Sequence, residues 1–195
     1  WKKSFSGTPC VCSIFPRTGN GSGRTDFGGI FLKNVFYYSS PLGTIGIAEN
    51  GMGITDLFYG KELPGGAEAR ETGLLQRAAQ QLSEYFEGKR RAFDLPLQAQ
   101  GTPFQKRVWQ ALCEIPYGQT RSYGEIAASL GNPKAGRAVG AANHRNPIAI
   151  VVPCHRVIGA DGSLVGYASG LDIKRKLLAL ESGIVEDAFR GGRAC

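Results

Sequence analysis

The spacing of apolar positions changes character near residue 100. From Val35 onward they fall into short runs, Phe36-Tyr37-Tyr38, Thr44-Ile45-Gly46-Ile47-Ala48 and Gly53-Ile54-Thr55-Asp56-Leu57-Phe58-Tyr59, divided by Pro41-Leu42-Gly43 and Asn50-Gly51. Aromatic and β-branched runs of this length, punctuated by turn residues, predict an antiparallel sheet. Over 67–87, Leu74, Leu75, Ala78, Ala79, Leu82, Tyr85 and Phe86 recur at helical spacing, predicting an amphipathic helix that covers the sheet. A further strand is open over Arg90 to Leu97, before a linker, Gln98-Ala99-Gln100-Gly101.

Beyond the linker the helical period dominates. Thr102-Pro103 reads as an N-cap followed by an N1 proline and opens a helix to about Glu114, with Phe104, Val108 and Leu112 on its apolar side. Ser122-Tyr123-Gly124-Glu125 has the form of a capping box and begins a short helix to Leu130. Gly131 ends that helix in a left-handed cap, and Asn132-Pro133 starts another that runs to about His144. Two short helices joined by a three-residue turn, the second one basic, are a helix-turn-helix signature. The apolar β-branched run Ile148-Ala149-Ile150-Val151-Val152 reads as a buried strand, and a last helix spans about Leu171 to Ser182.

Residues 1–34 are rich in Gly, Ser and Thr, show no sustained period, and are expected to be an unstructured leader or an added extension, with a natural start near Val35. The expected division is therefore a leader over 1–34, an amino-terminal unit over 35–100 and a carboxy-terminal unit over 101–195. No run approaches the roughly 18 consecutive apolar residues of a membrane span, and no apolar stretch follows Lys2 and Lys3, so a cytoplasmic protein with no membrane partner is expected. Of the five cysteines (Cys10, Cys12, Cys113, Cys154, Cys195), an odd number cannot all pair within the chain, which suits a reducing compartment and leaves a thiol for chemistry. Cys10 and Cys12 stand too close for a usual zinc pair and the chain has two histidines, so neither metal nor cofactor is expected. Formal charge is +7, and residues 106–156 carry seven basic and two acidic side chains. That concentration fits a polyanion partner, with a merely solvated basic face as the alternative.

The chemistry gathers at Val152-Pro153-Cys154-His155-Arg156-Val157. A thiol is nucleophilic as its thiolate, which an adjacent imidazole or cation favours. Taken alone, the pair leaves open a structural cysteine beside a surface histidine.

Ile150-Val151-Val152-Pro153-Cys154-His155-Arg156-Val157 resembles the alkyl-acceptor signature of the O6-alkylguanine-DNA alkyltransferases, or methylated-DNA-protein-cysteine S-methyltransferases. The likeness continues through Phe104-Gln105-x-x-Val108-Trp109, Ile115-Pro116-Tyr117-Gly118, Ser122 to Ala127, Arg137 to Asn143, Asn146-Pro147, Gly166-Tyr167 and Leu177 to Glu181, and extends back to Val35. It implies an α/β fold: a small ribonuclease H-like amino-terminal sheet with a helix, packed on a mainly helical, winged-helix-like carboxy-terminal domain. It also implies repair of double-stranded DNA by stoichiometric, irreversible transfer of an alkyl group from O6-alkylguanine, and from O4-alkylthymine, to Cys154, by a monomer.

The resemblance casts Cys154 as nucleophile, His155 as its base, directly or through a water, and Glu181 as the residue that orients the histidine; Glu181 as a solvated residue near a helix end stays open. Tyr123 would donate toward the base ring, with packing between helices as its alternative. Asn146 would bridge the recognition helix and the cysteine segment, and Pro147 independently disfavours helix at Asn146. Tyr167, Val157 and Ser169 would wall the base pocket; Ser169 stands where many relatives carry glycine, which bears on pocket size. Arg137 would be the finger that fills the stack left by a flipped nucleotide. Ser122, Tyr123, Ala138, Gly140 and Ala141 would meet DNA in the minor groove, although small residues also serve tight helix packing. Two rivals remain: a lesion-binding module without chemistry, whose known examples lack the acceptor cysteine, and a Cys-His hydrolase, which would turn over.

Overall fold

The computed structural model describes residues 33–61 and 66–183. The expected leader therefore lies outside the described residues except for Lys33 and Asn34, which open the first strand, and Cys10 and Cys12 lie outside as well. Strands β1 (Lys33–Ser40), β2 (Gly43–Glu49) and β3 (Ile54–Tyr59) form the antiparallel meander that the aromatic and β-branched runs predict. A short strand β4 (Ala67–Ala69) adds to the far edge of β1 in parallel, giving the order β3-β2-β1-β4. The helix expected from 67 is correspondingly shorter: α1 spans Gly73–Phe86, capped by the Thr72 side chain accepting from the Leu75 amide. Its apolar face lays Leu75, Ala78, Leu82 and Tyr85 into the core shared with Ile45, Ile47 and Leu57.

The strand left open over Arg90 to Leu97 does not form. Phe93, Leu95 and Leu97 are buried in alternation, but Pro96 has no N–H to donate and the segment meets the sheet only at the bridge Ile54–Leu97. Its polar backbone is satisfied instead by Gln81, which accepts from the Asp94 amide at 2.8 Å and donates to the Asp94 carbonyl at 3.0 Å.

Helix α2 (Pro103–Cys113) begins with a complete Thr102/Gln105 capping box. Helix α3 (Tyr123–Ser129) does the same with Ser122 and Glu125, so both predicted starts are found. Gly131, at φ +80°, takes the left-handed conformation that lets the chain turn without a Cβ clash. A single 3₁₀ turn (Pro133–Ala135) then leads into α4 (Gly136–His144), completing the helix-turn-helix. Trp109 ties α2 to α4 by donating to the Ala142 carbonyl at 2.9 Å. The short parallel pair β5 (Arg121–Ser122) and β6 (Val157–Ile158), unforeseen from sequence, and the helix α5 (Leu171–Glu181) complete the described chain.

The run Ile148–Val152 is buried as expected, yet it is a coil of tight turns and not a strand. Only Ile148 pairs, at a bridge to Leu57 of β3. The Val151 amide donates to the Ala149 carbonyl at 2.8 Å, closing a three-residue turn around Ile150 at φ +69°. A β-branched residue there is strained, at a typical cost of about 1–3 kcal/mol. A second such turn, with Cys154 N donating to Val152 O at 2.8 Å, is centred on Pro153 at φ −80°, ψ 62°, the relaxed inverse form. Two successive tight turns thus aim residue 154.

Candidate active site

Cys154, His155 and Arg156 occupy one 3₁₀ turn and all three are buried. A turn this short sends consecutive side chains to different sides, so the thiol and the imidazole serve different surroundings. Cys154 lines a cleft of about 500 Å³ walled by Leu57 to Tyr59 at the end of β3, by Asn143 and Asn146 around the end of α4, and by the Gly166–Ser169 loop. Burial pushes the Cys154 thiol above its ordinary range, against the opposing pull of a hydrogen bond from Asn146 and the positive charge of Lys174. The resting thiol is protonated and needs a base.

His155 supplies a candidate. Its Nε2 lies 2.8 Å from Oε1 of Glu181 at a site that is nearly solvent-free. A carboxylate only accepts, so Nε2 carries the hydrogen and Nδ1 keeps a lone pair, the tautomer a general base requires. Nδ1 has no hydrogen-bond partner in the protein. Burial lowers the basicity of His155, opposed by the hydrogen bond and charge of Glu181, and the net displacement is downward, which favours neutral imidazole.

Glu181 ends α5 and is far from the solvated residue that its place near a helix end left open. Its Oε1 accepts from Tyr85 Oη at 2.7 Å, from His155 and from Arg156 Nη2 at 2.9 Å. Its Oε2 accepts from Arg156 Nε at 2.8 Å and the Gly118 amide at 3.1 Å. Burial alone would raise the carboxyl, but the hydrogen bonds and charges of His155 and Arg156 outweigh it and hold Glu181 well below the usual carboxylate range. Gly118 fits here for want of a Cβ: one added at its φ of +75° would stand 2.9 Å from the Glu181 carbonyl oxygen. Arg156, buried itself, donates from Nη1 to the Ile115 carbonyl at 2.6 Å.

Asn146 lies where expected, just beyond α4. Its Nδ2 donates to the Val152 carbonyl at 2.8 Å while its Oδ1 accepts from the Ile148 amide at 3.1 Å, pinning the coil that presents Cys154. Tyr123, the first residue of α3, donates to the Val165 carbonyl at 3.1 Å; burial and the nearby Cys154 raise its hydroxyl, keeping it protonated. Tyr167 and Ser169 line the cleft, whereas Val157 does not: the chain is extended there, paired with Arg121 in the β5–β6 ladder, and its side chain is fully buried. Arg137, Ala138 and Ala141 are exposed along one side of α4 and Gly140 is half-buried beside Tyr123, apart from the Cys154 cleft. The hydroxyl of Ser122 is engaged in capping α3.

Three residues at the site have no site role in the sequence pattern. Lys174 of α5 is fully buried, its Nζ donating to the carbonyls of Val157 at 2.6 Å and Val165 at 2.7 Å. A lysine three residues before Leu177 on the apolar side of a helix is a signal that was present. Tyr59 from β3 and Tyr167 bring buried hydroxyls to the cleft, close enough to interact with each other and, for Tyr167, with the Cys154 thiol. Tyr85 reached Glu181 unannounced, since an aromatic at helical spacing reads as core. Among the described residues no cluster of three or more potential metal ligands occurs, and no helix is long and apolar enough to cross a membrane.

A buried thiol at a cleft beside a helix-turn-helix, followed in the chain by a neutral imidazole held by a buried carboxylate, fits a protein that uses a cysteine nucleophile. Comparison with known proteins narrows the class. The family model described as 6-O-methylguanine DNA methyltransferase, ribonuclease-like domain, matches residues 35–99, and the corresponding DNA binding domain matches residues 103–183. The chain is 57% identical over 147 residues to the methylated-DNA–protein-cysteine methyltransferase of Methanosarcina barkeri, covering 73% of this chain and 92% of that one. It is 53% identical over 156 residues to the constitutive methylated-DNA–protein-cysteine methyltransferase of Bacillus subtilis, covering 74% and 94%. The crystal structure of Mycobacterium tuberculosis OGT in complex with DNA superposes with a TM-score of 0.74 at 46% identity, covering 80% of this chain and 96% of that chain. The chain belongs to the 6-O-methylguanine DNA methyltransferase family.

Proposed function

We propose that this protein repairs alkylated double-stranded DNA by direct reversal, accepting the alkyl group of an O6-alkylguanine onto Cys154 in one irreversible turnover. The observation that carries the reading is Cys154 at the cleft, followed in the same 3₁₀ turn by His155, an imidazole whose Nδ1 is unengaged and whose Nε2 is bound to the buried Glu181 carboxylate. The thiol passes its proton to Nδ1 of His155, directly or through a water. Glu181 stabilises the imidazolium that results. The sulfur bonds to the alkyl carbon as the carbon–O6 bond breaks, and the electron pair leaves on the guanine oxygen. Tyr123 exchanges its contact with Val165 for a hydrogen bond toward the base ring and disperses that charge. The product is a thioether with no easy leaving group, so Cys154 is not regenerated.

The O6 atom of a stacked guanine lies in the major groove edge of the duplex, so the nucleotide must leave the stack to reach the thiol. Arg137 fills the gap. Helix α4 enters the minor groove, where Ala138, Gly140 and Ala141 let its axis approach the backbone closely, with Ser122 and Tyr123 flanking. Tyr167 and Ser169 wall the pocket for the extruded base. O4-alkylthymine presents the same alkyl-oxygen bond and is a second substrate. The protein acts as a monomer in the cytoplasm, with an amino-terminal unit through residue 100 and a carboxy-terminal unit from residue 101.

The test is mass spectrometry of the Cys154 peptide after incubation with a duplex containing O6-methylguanine. One methyl group per protein on Cys154 is expected. Binding without an adduct, an adduct on another residue, or product in excess of protein would overturn the proposal.

A further inference from the structure

We infer that Tyr85, from the amino-terminal half, is a positioning residue for the reaction: its hydroxyl competes with His155 for one oxygen of Glu181 and so sets how firmly the carboxylate holds the imidazole. The inference rests on the repair reading for its meaning, though not for its test. Tyr85 is fully buried on α1, its ring at edge angles to Phe86 and Tyr117, with centroids 5.6 and 6.1 Å away, and tilted against Phe93 at 5.4 Å. Those contacts leave the hydroxyl little freedom, and it points at Glu181 across 96 residues of sequence.

Oε1 of Glu181 accepts three donors, Tyr85 Oη, His155 Nε2 and Arg156 Nη2, whereas Oε2 takes two. A carboxylate oxygen offers about two well-placed lone pairs, so a third donor weakens what each of the others receives. Burial and the negative charge of Glu181 keep the Tyr85 hydroxyl protonated, which leaves it a donor only. The other charged and titratable groups facing the pair are Arg156, Lys174 of α5, and Tyr117, whose ring lies beneath both Arg156 and Arg91. None of the others offers a neutral hydroxyl to Oε1. Removing the Tyr85 hydroxyl therefore hands more of that oxygen to His155, strengthens the bond that favours imidazolium, and makes Nδ1 a stronger base.

The chain contains two histidines, His144 and His155, so side-chain NMR of the whole protein follows both, with exposed His144 as an internal control. In Tyr85→Phe, the His155 titration midpoint is expected to rise by on the order of half a unit to one unit, with His144 unmoved. The limb of the pH–rate profile for Cys154 methylation that follows His155 should move with it. Placing 3-fluorotyrosine at position 85 keeps the ring and makes the hydroxyl a stronger donor, so it should lower the midpoint; it also serves if the phenylalanine variant folds poorly. A His155 midpoint unchanged in both proteins, or shifted in the same direction by both, would overturn the inference. Failure of the unmodified protein to take a methyl group from the duplex would instead overturn the repair reading, and the two results are read from separate measurements.

Discussion

Replacing Glu181 by glutamine keeps the shape of the side chain and removes its charge, and the five donors around it make the cost calculable. Glutamine has one acceptor oxygen, and its NH₂ would face either the Arg156 Nε and Gly118 amide pair or the Tyr85, His155 and Arg156 Nη2 trio. In either orientation donor meets donor, and buried Arg156 loses its counter-charge. Stranding one member of a buried ion pair costs about 3–5 kcal/mol, a large part of the roughly 5–15 kcal/mol that holds a domain folded. The urea midpoint should fall without a change in slope, and the melting temperature should drop by on the order of 10 °C. Because the penalty comes from the stranded guanidinium, Glu181→Gln combined with Arg156→Met should be less destabilised than the sum of the single variants. A single-variant loss below about 1 kcal/mol, or strict additivity in the double, would refute the reasoning.

Acid should act on the same cluster. The folded-state affinities of Glu181 and His155 for protons are both below their ordinary values, so each contributes stability that is present above its unfolded pKa and is lost as pH falls toward its folded one. Stability should therefore decline first below about pH 6.5 and more steeply below about pH 4.5, as denaturation at fixed urea would record; a curve flat through both ranges would contradict the assignment. Arg137→Ala should slow repair in duplex DNA by about 10- to 100-fold, the worth of an uncompensated unstacked step, while leaving reaction with free O6-alkylguanine nearly intact; equal losses would remove the finger role. Ser169→Gly should speed transfer of benzyl more than of methyl, measured as the ratio of single-turnover rates, and an unchanged ratio would take Ser169 out of the pocket wall.

Much of this is legible in the sequence. The caps at Thr102 and Ser122 state their helix starts in local residue types, whereas the Cys154-His155 pair alone leaves a structural cysteine open, and Glu181 joins it only through the family resemblance. What escaped detection shares a physical cause. A buried apolar run such as Ile148–Val152 looks the same whether its backbone is extended or coiled, because burial constrains side-chain type and not φ. Residues 67–71 include good helix formers, yet pairing with β1 claims Ala67–Ala69, and only the cap at Thr72 marks the true start. Phe93, Leu95 and Leu97 alternate as a strand would, but alternation reports which side is buried and says nothing of whether a partner strand is at hand. Tyr85 and Lys174 act through contacts between distant segments, which no local pattern encodes.

The Glu181 cluster also has a consequence for synthesis. Its donors come from α1, from the turn after α2 and from the 3₁₀ turn that holds Cys154, while its acceptor is the last residue of α5. Cys154 is therefore synthesised before the carboxylate that, in the proposed mechanism, orients its base. If the proposed mechanism holds, residue 154 is an ordinary thiol until α5 docks, and a polypeptide truncated ahead of that helix should be inert toward alkylated bases. On that mechanism, reactivity is a late event in the protein's own biogenesis, conferred when the end of α5 packs against α1 and the 3₁₀ turn.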